Sequence, residues 1–498
     1  MLPSVAVRLA IVDIRKPISG TLLSYTRLCK NREGKRLGKR YPSHTLKNEL
    51  SITVIEPFKK HFRAGVYQSL TVLVVGAILC AKSRTISRCL RVLGLHEEQN
   101  YGRYYYALNK AKWSCIALSQ SLLMLLIPYG QSGDGVLRFN LDDTLVRRSG
   151  KKIKLKGKHH DAVRSRGRYK VISLGIRWLS LQLNCTFPWS QRYWSLPIMT
   201  VPCPSKESCE KEKLSYRSFC ALSKIFFRLL RRWLPEQRIE VLADNAFQTA
   251  ELYLLAHQLD ITFITRSRAD ICLYDPAPTD LPKGRRGPKP KKGARQTTLA
   301  YRFENKLLDF VTTSLLWYKQ EDIVVEYATG TALWYRDGVL PIPIRWFLVT
   351  SPDKRFKPSY FTATCFEGLD PQAILQSYRH RWNCEVTFQD LHFSLGLETQ
   401  RHWSDKAINR ITPLLFGLYS IVCLFVAQLN LSNLPRYQAA WYPSSRKSDA
   451  SFHDVLACAR NHLWNYIFEL ADSRSSPKFR LIPLQLFHSF KNALAFAA

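Results

Sequence analysis

The run YRHRWNCEVTFQDLH, residues 378–392, carries a phenol, a guanidinium, a carboxylate and an imidazole at Tyr378, Arg381, Glu385 and His392. At ~100° per residue, steps of three, four and seven put all four on one helical stripe, within about 60° of one another. Three more carboxylates end apolar β-type runs: Asp142 and Asp143 in LDDT, and Asp244 in LADN. A carboxylate at a strand end lies at a sheet edge that loops and solvent reach. One acid from each run, with Glu385 from the helix, supplies the hard oxygens that select Mg2+ or Mn2+ over zinc, and three such groups hold two ions. Such a pair activates a water or a 3′-hydroxyl and stabilises the leaving oxygen, which is phosphodiester cleavage and transfer. Alternation along LRFNLDD puts Asp142 and Asp143 on opposite faces, so only one of them points into such a site.

The elements that must bring these acids together read as α/β. GVLRFNLDD, YKVISLGIRWLSLQL and RYWSLPIMTV are β-type runs, and KEKLSYRSFCALSKIFFRLLRRWL has helical spacing. IEVLADNAF (strand), QTAELYLLAHQL (helix) and ITFITRSR (strand) follow, giving βββαβαβ. A helix over residues 371–395 completes βββαβαβα after a long interruption. In that order the first and fourth strands are neighbours, and the last helix packs across them with Glu385. The interruption, residues 269–369, reads as a β-rich insertion with the Pro/Gly/Lys-rich tract LPKGRRGPKPKKG. The division expected is a basic, weakly structured arm (1–50), a helical region (51–133), the first part of the core (134–268), the insertion (269–369), the last part of the core (370–430) and a C-terminal region (431–498).

Composition points to a polyanionic partner. Lys and Arg number 74 against 38 acids among 498 residues, a net charge of +36, and the apolar share of 46% supports a sizeable core. The 13 cysteines are scattered singly with no CxxC pair, which argues against a zinc ribbon or a secreted disulfide framework and for a reducing cytosol. There is no charged n-region before a long apolar core, so no secretory leader is expected. VLVVGAILC (72–80) is too short to span a bilayer. ITPLLFGLYSIVCLFVAQL (411–429) is long enough, but contains Pro413 and Gly417 and reads as a buried core helix. KSRTISRCLRVLG (82–94) reads either as a helix-turn-helix fragment or as part of an ordinary basic bundle.

Basic segments flank the acids. Residues 146–170 hold eleven Lys or Arg and one acid, Asp161, directly after LDDT, so Lys151, Lys152 and Lys154 are expected on DNA phosphates. His159, His160 and Asp161 do not suit zinc, because adjacent histidines do not readily share an ion. GRRGPKPKKG, with Arg285 and Arg286, reads as a minor-groove hook or as a plain basic linker.

The spacing of Tyr378, Arg381 and Glu385 resembles the Y-x2-R-x3-E-x6-K signature of cut-and-paste transposases of bacterial insertion sequences, in the DDE superfamily. YRHRWNCEVTFQDLHFSLGLE resembles their third motif, and LDDTL and LADNAF their first and second; the resemblance covers about residues 135–429. It implies an RNase-H-like catalytic core interrupted by a β-rich insertion, behind a helical N-terminal DNA-binding region. It also implies two Mg2+ (or Mn2+) ions on Asp142, Asp244 and Glu385, and a homodimer that pairs two element ends. The family's D-x-T pattern favours Asp142 over Asp143. Arg381 would grip a DNA phosphate, and Tyr378 would bond a phosphate or stack on a sugar or base. The signature lysine falls on His392, which brings less charge. Trp334 and Trp346 lie where relatives stack a flipped base. The implied protein is a cytoplasmic, nucleoid-associated bacterial enzyme without a membrane role. Its rivals are an inactive DNA-binding descendant, a plain nuclease and a basic membrane-associated protein.

Overall fold

The computed structural model describes residues 52–81, 83–131, 133–279, 288–316, 322–336, 338–353, 355–364, 370–434, 436, 449–472, 490 and 493–495. Helices α1 (Ala64–Leu79), α2 (Ile86–Val92), α3 (Gly102–Asn109) and α4 (Cys115–Gly130) come first. Next come β1 (Val136–Arg147), β2 (Gly157–His160), β3 (Ile172–Cys185), β4 (Trp194–Cys203), α5 (Phe219–Trp233), β5 (Arg238–Ala243), α6 (Ala250–Gln258) and β6 (Ile261–Arg266). Strands β7 (Leu273–Tyr274), β8 (Val311–Leu316), β9 (Asp322–Trp334), β10 (Ile342–Thr350) and β11 (Ser359–Thr364) precede α7 (Pro371–Tyr378), α8 (Trp382–Phe393), α9 (Asp405–Gln428) and α10 (Phe452–Asp472).

Strand β1 organises the site because its sequence alternates. Phe139 and Leu141 are fully buried on one face, while Arg138 faces α7, and Asn140 and Asp142 face the Arg379–Arg381 segment that links α7 to α8. It pairs antiparallel with β3 and parallel with β5, so the first and fourth runs of the sequence are neighbours, with Leu141 beside Ala243. β4 extends the sheet beyond β3, and β6 lies parallel to β5 on the other side. The long stretch between β6 and α7 adds its strands to this same sheet: β11 pairs with β6, then β10 and β9 follow.

Three elements differ from expectation. The basic run after β1 contains a strand, β2, which pairs with β3. The helix expected from Lys211 starts only at Phe219, where the Ser218 side chain accepts from the Ala221 amide. The helix expected over 371–395 is interrupted by a 3-10 turn, Arg379–Arg381, between α7 and α8. That turn is fixed from below, where Asn140 Nδ2 lies 3.1 Å from the His380 carbonyl.

Helix α9 is the one described helix long and apolar enough to cross a membrane, at 24 residues with mean hydropathy 1.9. About 67% of its apolar stretch is covered by protein: Leu415, Phe416, Leu418, Tyr419 and Val422 are buried, and Ser420 donates to the Pro197 carbonyl of β4 at 2.7 Å. Buried Arg410 ties it to the last turn of α3 through the Leu108 carbonyl and to the chain just beyond through the Ala111 carbonyl. In the N-terminal bundle α1 crosses α2 at Gly76, where a Cβ would come within 2.7 Å of the Cys89 carbonyl oxygen, so only glycine permits this approach. Arg460 of α10, 1% exposed, donates to the Ile78 and Cys80 carbonyls at 2.8 and 2.7 Å. A guanidinium there satisfies orphan carbonyls and meets the negative end of the α1 dipole.

Candidate active site

Asp142 and Glu385 meet on one guanidinium. Arg381 donates from Nη1 to Asp142 Oδ2 at 3.2 Å and from Nη2 to Glu385 Oε1 at 2.7 Å. The second contact is the i,i+4 reach expected at the start of a helix. Asp143, on the opposite face of β1, pairs instead with Arg177 of β3 at 3.1 Å. Asp244 follows β5 directly, one residue beyond the Leu141–Ala243 pair, at the same sheet edge as Asp142.

Charge and burial agree with this geometry. Burial pushes the Asp142 carboxyl up to about 7; Arg381 opposes the shift, and the charges of Asp143 and Glu385 add to it. Burial also raises Asp143, with Arg177 opposing and Asp244 adding. Burial strips most of the water from the Arg381 guanidinium, yet Tyr378, Asp142 and Glu385 together hold its proton more tightly than usual. The site therefore has more negative charge than its one bridging cation offsets, which suits a divalent ion held by hard carboxylate oxygens. Among the described residues, no group of three or more His, Cys, Asp or Glu side chains is placed so that it could hold a metal ion.

A buried polar knot sets the position of Arg381. Asn140, fully buried, donates from Nδ2 to Asn184 Oδ1 at 2.9 Å and to Ser195 Oγ at 2.8 Å, besides its approach to His380. Thr387 of α8 donates to the Ser195 carbonyl at 2.7 Å. Arg138 donates to Ser377 Oγ at 2.8 Å and pairs with Glu240 at 2.9 Å. The sequence reading missed Asn140, Asn184, Ser195 and Thr387. The available signal was a polar residue inside an apolar strand, two places before Asp142 and therefore on its face.

The other expected contacts are dispersed. Tyr378 is buried, donates to the Ala243 carbonyl at 3.2 Å and packs edge-on against Phe361. It anchors the end of α7 to the strand that delivers Asp244. His392 lies two turns beyond Glu385; burial lowers its pKa, Glu398 opposing and Arg147 adding, so it is neutral at neutral pH. Lys151 and Lys152 are exposed after β1, while Lys154 is paired with Glu212. Arg285 and Arg286 lie outside the described residues. Trp346 is buried under Gly330, where a Cβ would come within 2.7 Å of the indole, and Trp334 packs edge-on against Tyr253.

The lone acid of the basic segment is a clasp. Asp161, 1% exposed, takes both arms of Arg147 at 2.7 and 2.9 Å and the Ser173 hydroxyl at 2.7 Å. Its carboxyl is held well below the usual range, first by Arg147, with Ser173 helping against burial. A depressed carboxylate stabilises the fold fully above its unfolded pKa, and that contribution is lost as pH falls through the folded value. We therefore expect the wild-type melting temperature to fall more steeply than that of Asp161→Asn between about pH 5 and pH 3, and the variant to start lower at pH 7. Parallel thermal melts across that range check this, and equal slopes would refute it.

A family model described as DDE superfamily endonuclease matches residues 57–320. The match spans more than half of the chain, which belongs to this family. No curated protein matches it. The matched span contains Asp142, Asp143 and Asp244 and ends before Glu385. An endonuclease of this superfamily acts on DNA, and the superfamily generally uses divalent metals.

Proposed function

We propose that this endonuclease is a transposase of the Y-R-E-K insertion-sequence group, which cuts the ends of its element and joins them to target DNA. The observation that carries the reading is the Arg381 bridge, which brings the first acid motif and the third onto one point. Strand order supports an RNase-H-like core: β4, β3 and β1 run antiparallel, then β5 and β6 continue parallel to β1. In this reading residues 134–268 and 370–430 form the core, and residues 269–369 are an insertion that lengthens its sheet. The helical region 51–133 would contact DNA, with Tyr101, Tyr105 and Tyr106 exposed on and beside α3.

Asp142, Asp244 and Glu385 would hold two Mg2+ or Mn2+ ions, which supply a Lewis acid and an activated oxygen nucleophile when bound. In this reading Asp142 and Asp244 would share the sheet edge, with the Asn140 knot and the Tyr378 anchor holding α8 above them. Lys151 and Lys152 lie on the loop leaving β1, within the basic run that would neutralise DNA phosphates near the acids. We assign the protein to the bacterial nucleoid, as a dimer pairing two ends, on the strength of its charge and the chemistry of cutting two ends.

The test is cleavage of labelled DNA carrying the flanking element ends, with Mg2+ or Mn2+. Wild type is expected to cut specifically at the ends, and Glu385→Ala to bind without cutting. Binding without cutting by the folded wild type would favour an inactive descendant; cutting without preference for ends would favour a plain nuclease.

A further inference from the structure

We propose that an apolar pocket between the N-terminal helices, β4 and α9 binds a neutral small molecule with an apolar body and one hydrogen-bond-accepting head. The pocket measures about 230 Å3, and its walls include Phe62, Leu70 of α1, Leu122 of α4, Ile198 of β4, and Leu414 and Gly417 of α9. An apolar cavity of ~150 Å3 accepts benzene, so this one has room for about nine or ten non-hydrogen atoms. It lies below the roughly 300–1,000 Å3 of sites for drug-sized ligands. None of Asp142, Asp244 and Glu385 lines it, so the site is separate from the acids.

The sequence keeps this space open. Gly417 stands inside α9, where glycine weakens a helix relative to alanine. No close approach demands it: among the described residues, a Cβ there would meet only Leu122 Cδ2 across the pocket, at the ordinary contact distance of 3.9 Å. Gly76 is the opposite case, required by the Cys89 backbone. What Gly417 provides is width. Pro413, also in the wall, has no amide for the Asn409 carbonyl, and Cys115 of α4 donates to that carbonyl at 3.5 Å instead. That contact ties α4 to α9 beside the pocket without filling it.

Two polar groups in the wall lack partners among the described residues. Ser119 of α4 is 8% exposed, and its hydroxyl bonds to none of them. Gln400 accepts from the Thr412 hydroxyl at 2.8 Å through Oε1, while its buried Nε2 donates to nothing. A buried donor left unmade is costly, and a bound acceptor would satisfy it. The other polar lining groups are occupied: Tyr67 donates to Glu56, Thr71 to the Tyr67 carbonyl, and Thr200 pairs with Ser180. Arg84, the one charged residue of the lining, donates to the Ala77 and Cys80 carbonyls at 2.8 and 3.2 Å. An ionised head would therefore lose its water without gaining a counter-ion, whereas a neutral acceptor fits the two free donors. The occupant would touch α1 and α4 on one side and β4 and α9 on the other, so its binding should stabilise their packing.

Two probes test this: quinoline, neutral at neutral pH with one acceptor nitrogen, and naphthalene, the same shape without it. Each is titrated into the full-length chain by calorimetry, with thermal melts alongside. Quinoline, with about ten non-hydrogen atoms, is expected to bind wild type saturably with a Kd below about 1 mM. It should bind at least about 10-fold more tightly than naphthalene and raise the melting temperature. Gly417→Leu grows a side chain into the pocket from α9, and Ser119→Leu does so from α4; both replace a weaker helix former. Each should melt no lower than wild type and bind quinoline at least about 10-fold more weakly, because the ligand's volume is taken. Ser119→Ala combined with Gln400→Met should bind the two probes alike. Circular dichroism checks that each variant is folded. No saturable binding of quinoline by wild type would overturn the proposal, as would unchanged binding in either folded leucine variant. Naphthalene binding as tightly as quinoline to wild type would overturn the assignment of an accepting head.

Discussion

Asp142→Asn is expected to remove DNA cleavage almost completely, by at least about 1,000-fold, on the order of 4 kcal/mol of transition-state stabilisation. Asp143→Asn is expected to cost far less. The two residues are adjacent, yet the pleat sends them to opposite faces of β1, and only Asp142 shares a guanidinium with Glu385. Asp143 is spent on Arg177. Single-turnover cleavage by both variants checks this, and the reverse ranking would move the first metal ligand to Asp143. The same carboxyl sets the pH dependence. Because burial, with Asp143 and Glu385 adding, pushes Asp142 up to about 7, its proton is held below that pH and must leave before a cation can bind. Mn2+ affinity should therefore rise as pH increases through 7 and level off above it, and a flat profile would count against Asp142.

Salt should weaken DNA binding steeply. The net charge of +36 and the dense basic run after β1 imply many phosphate contacts. For about six such contacts, affinity falls roughly 1,000-fold between 50 and 200 mM salt, because released counterions supply most of the binding free energy. Lys151 and Lys152 are exposed and uncommitted to acids, so replacing both with Ser should lower the logarithmic salt slope by about 2. Lys154 is already paired with Glu212 and should contribute less. Fluorescence anisotropy on a labelled duplex over a salt series reads the slope. An affinity insensitive to salt would exclude a phosphate-dominated interface, and with it the use proposed for this segment.

Much of the frame was legible because it is written in local period. Alternation in VLRFNLDD and the apolar runs IEVLA and ITFIT announce β1, β5 and β6, but β1 does not end at the acids as expected: it runs on to Arg147 along β3, and only its pairing with β5 stops at Leu141. The apolar stretch within α9 reads as a core helix for a similar reason: Pro413 and Gly417 fit a packed helix that Arg410 and Ser420 pin to its neighbours. Strand β2 was hidden because its lysine and histidines carry little β preference; pairing to β3 and the Asp161 clasp make it a strand. The 3-10 turn before α8 was hidden for a related reason. Helical spacing continues through residues 378–385, and the buried Asn140 amide from a distant strand approaches the His380 carbonyl there.

The sequence by itself determined which residue types were available, their order on strands and helices, and the opposition of Asp142 to Asp143, because these depend on backbone period and neighbouring residues. Only the tertiary structure decided which carboxylate meets Glu385, and that Tyr378 points into the protein at Ala243. Those outcomes depend on side chains more than a hundred residues apart in the chain. Their distances are set by how the helices pack on the sheet, which no local spacing encodes.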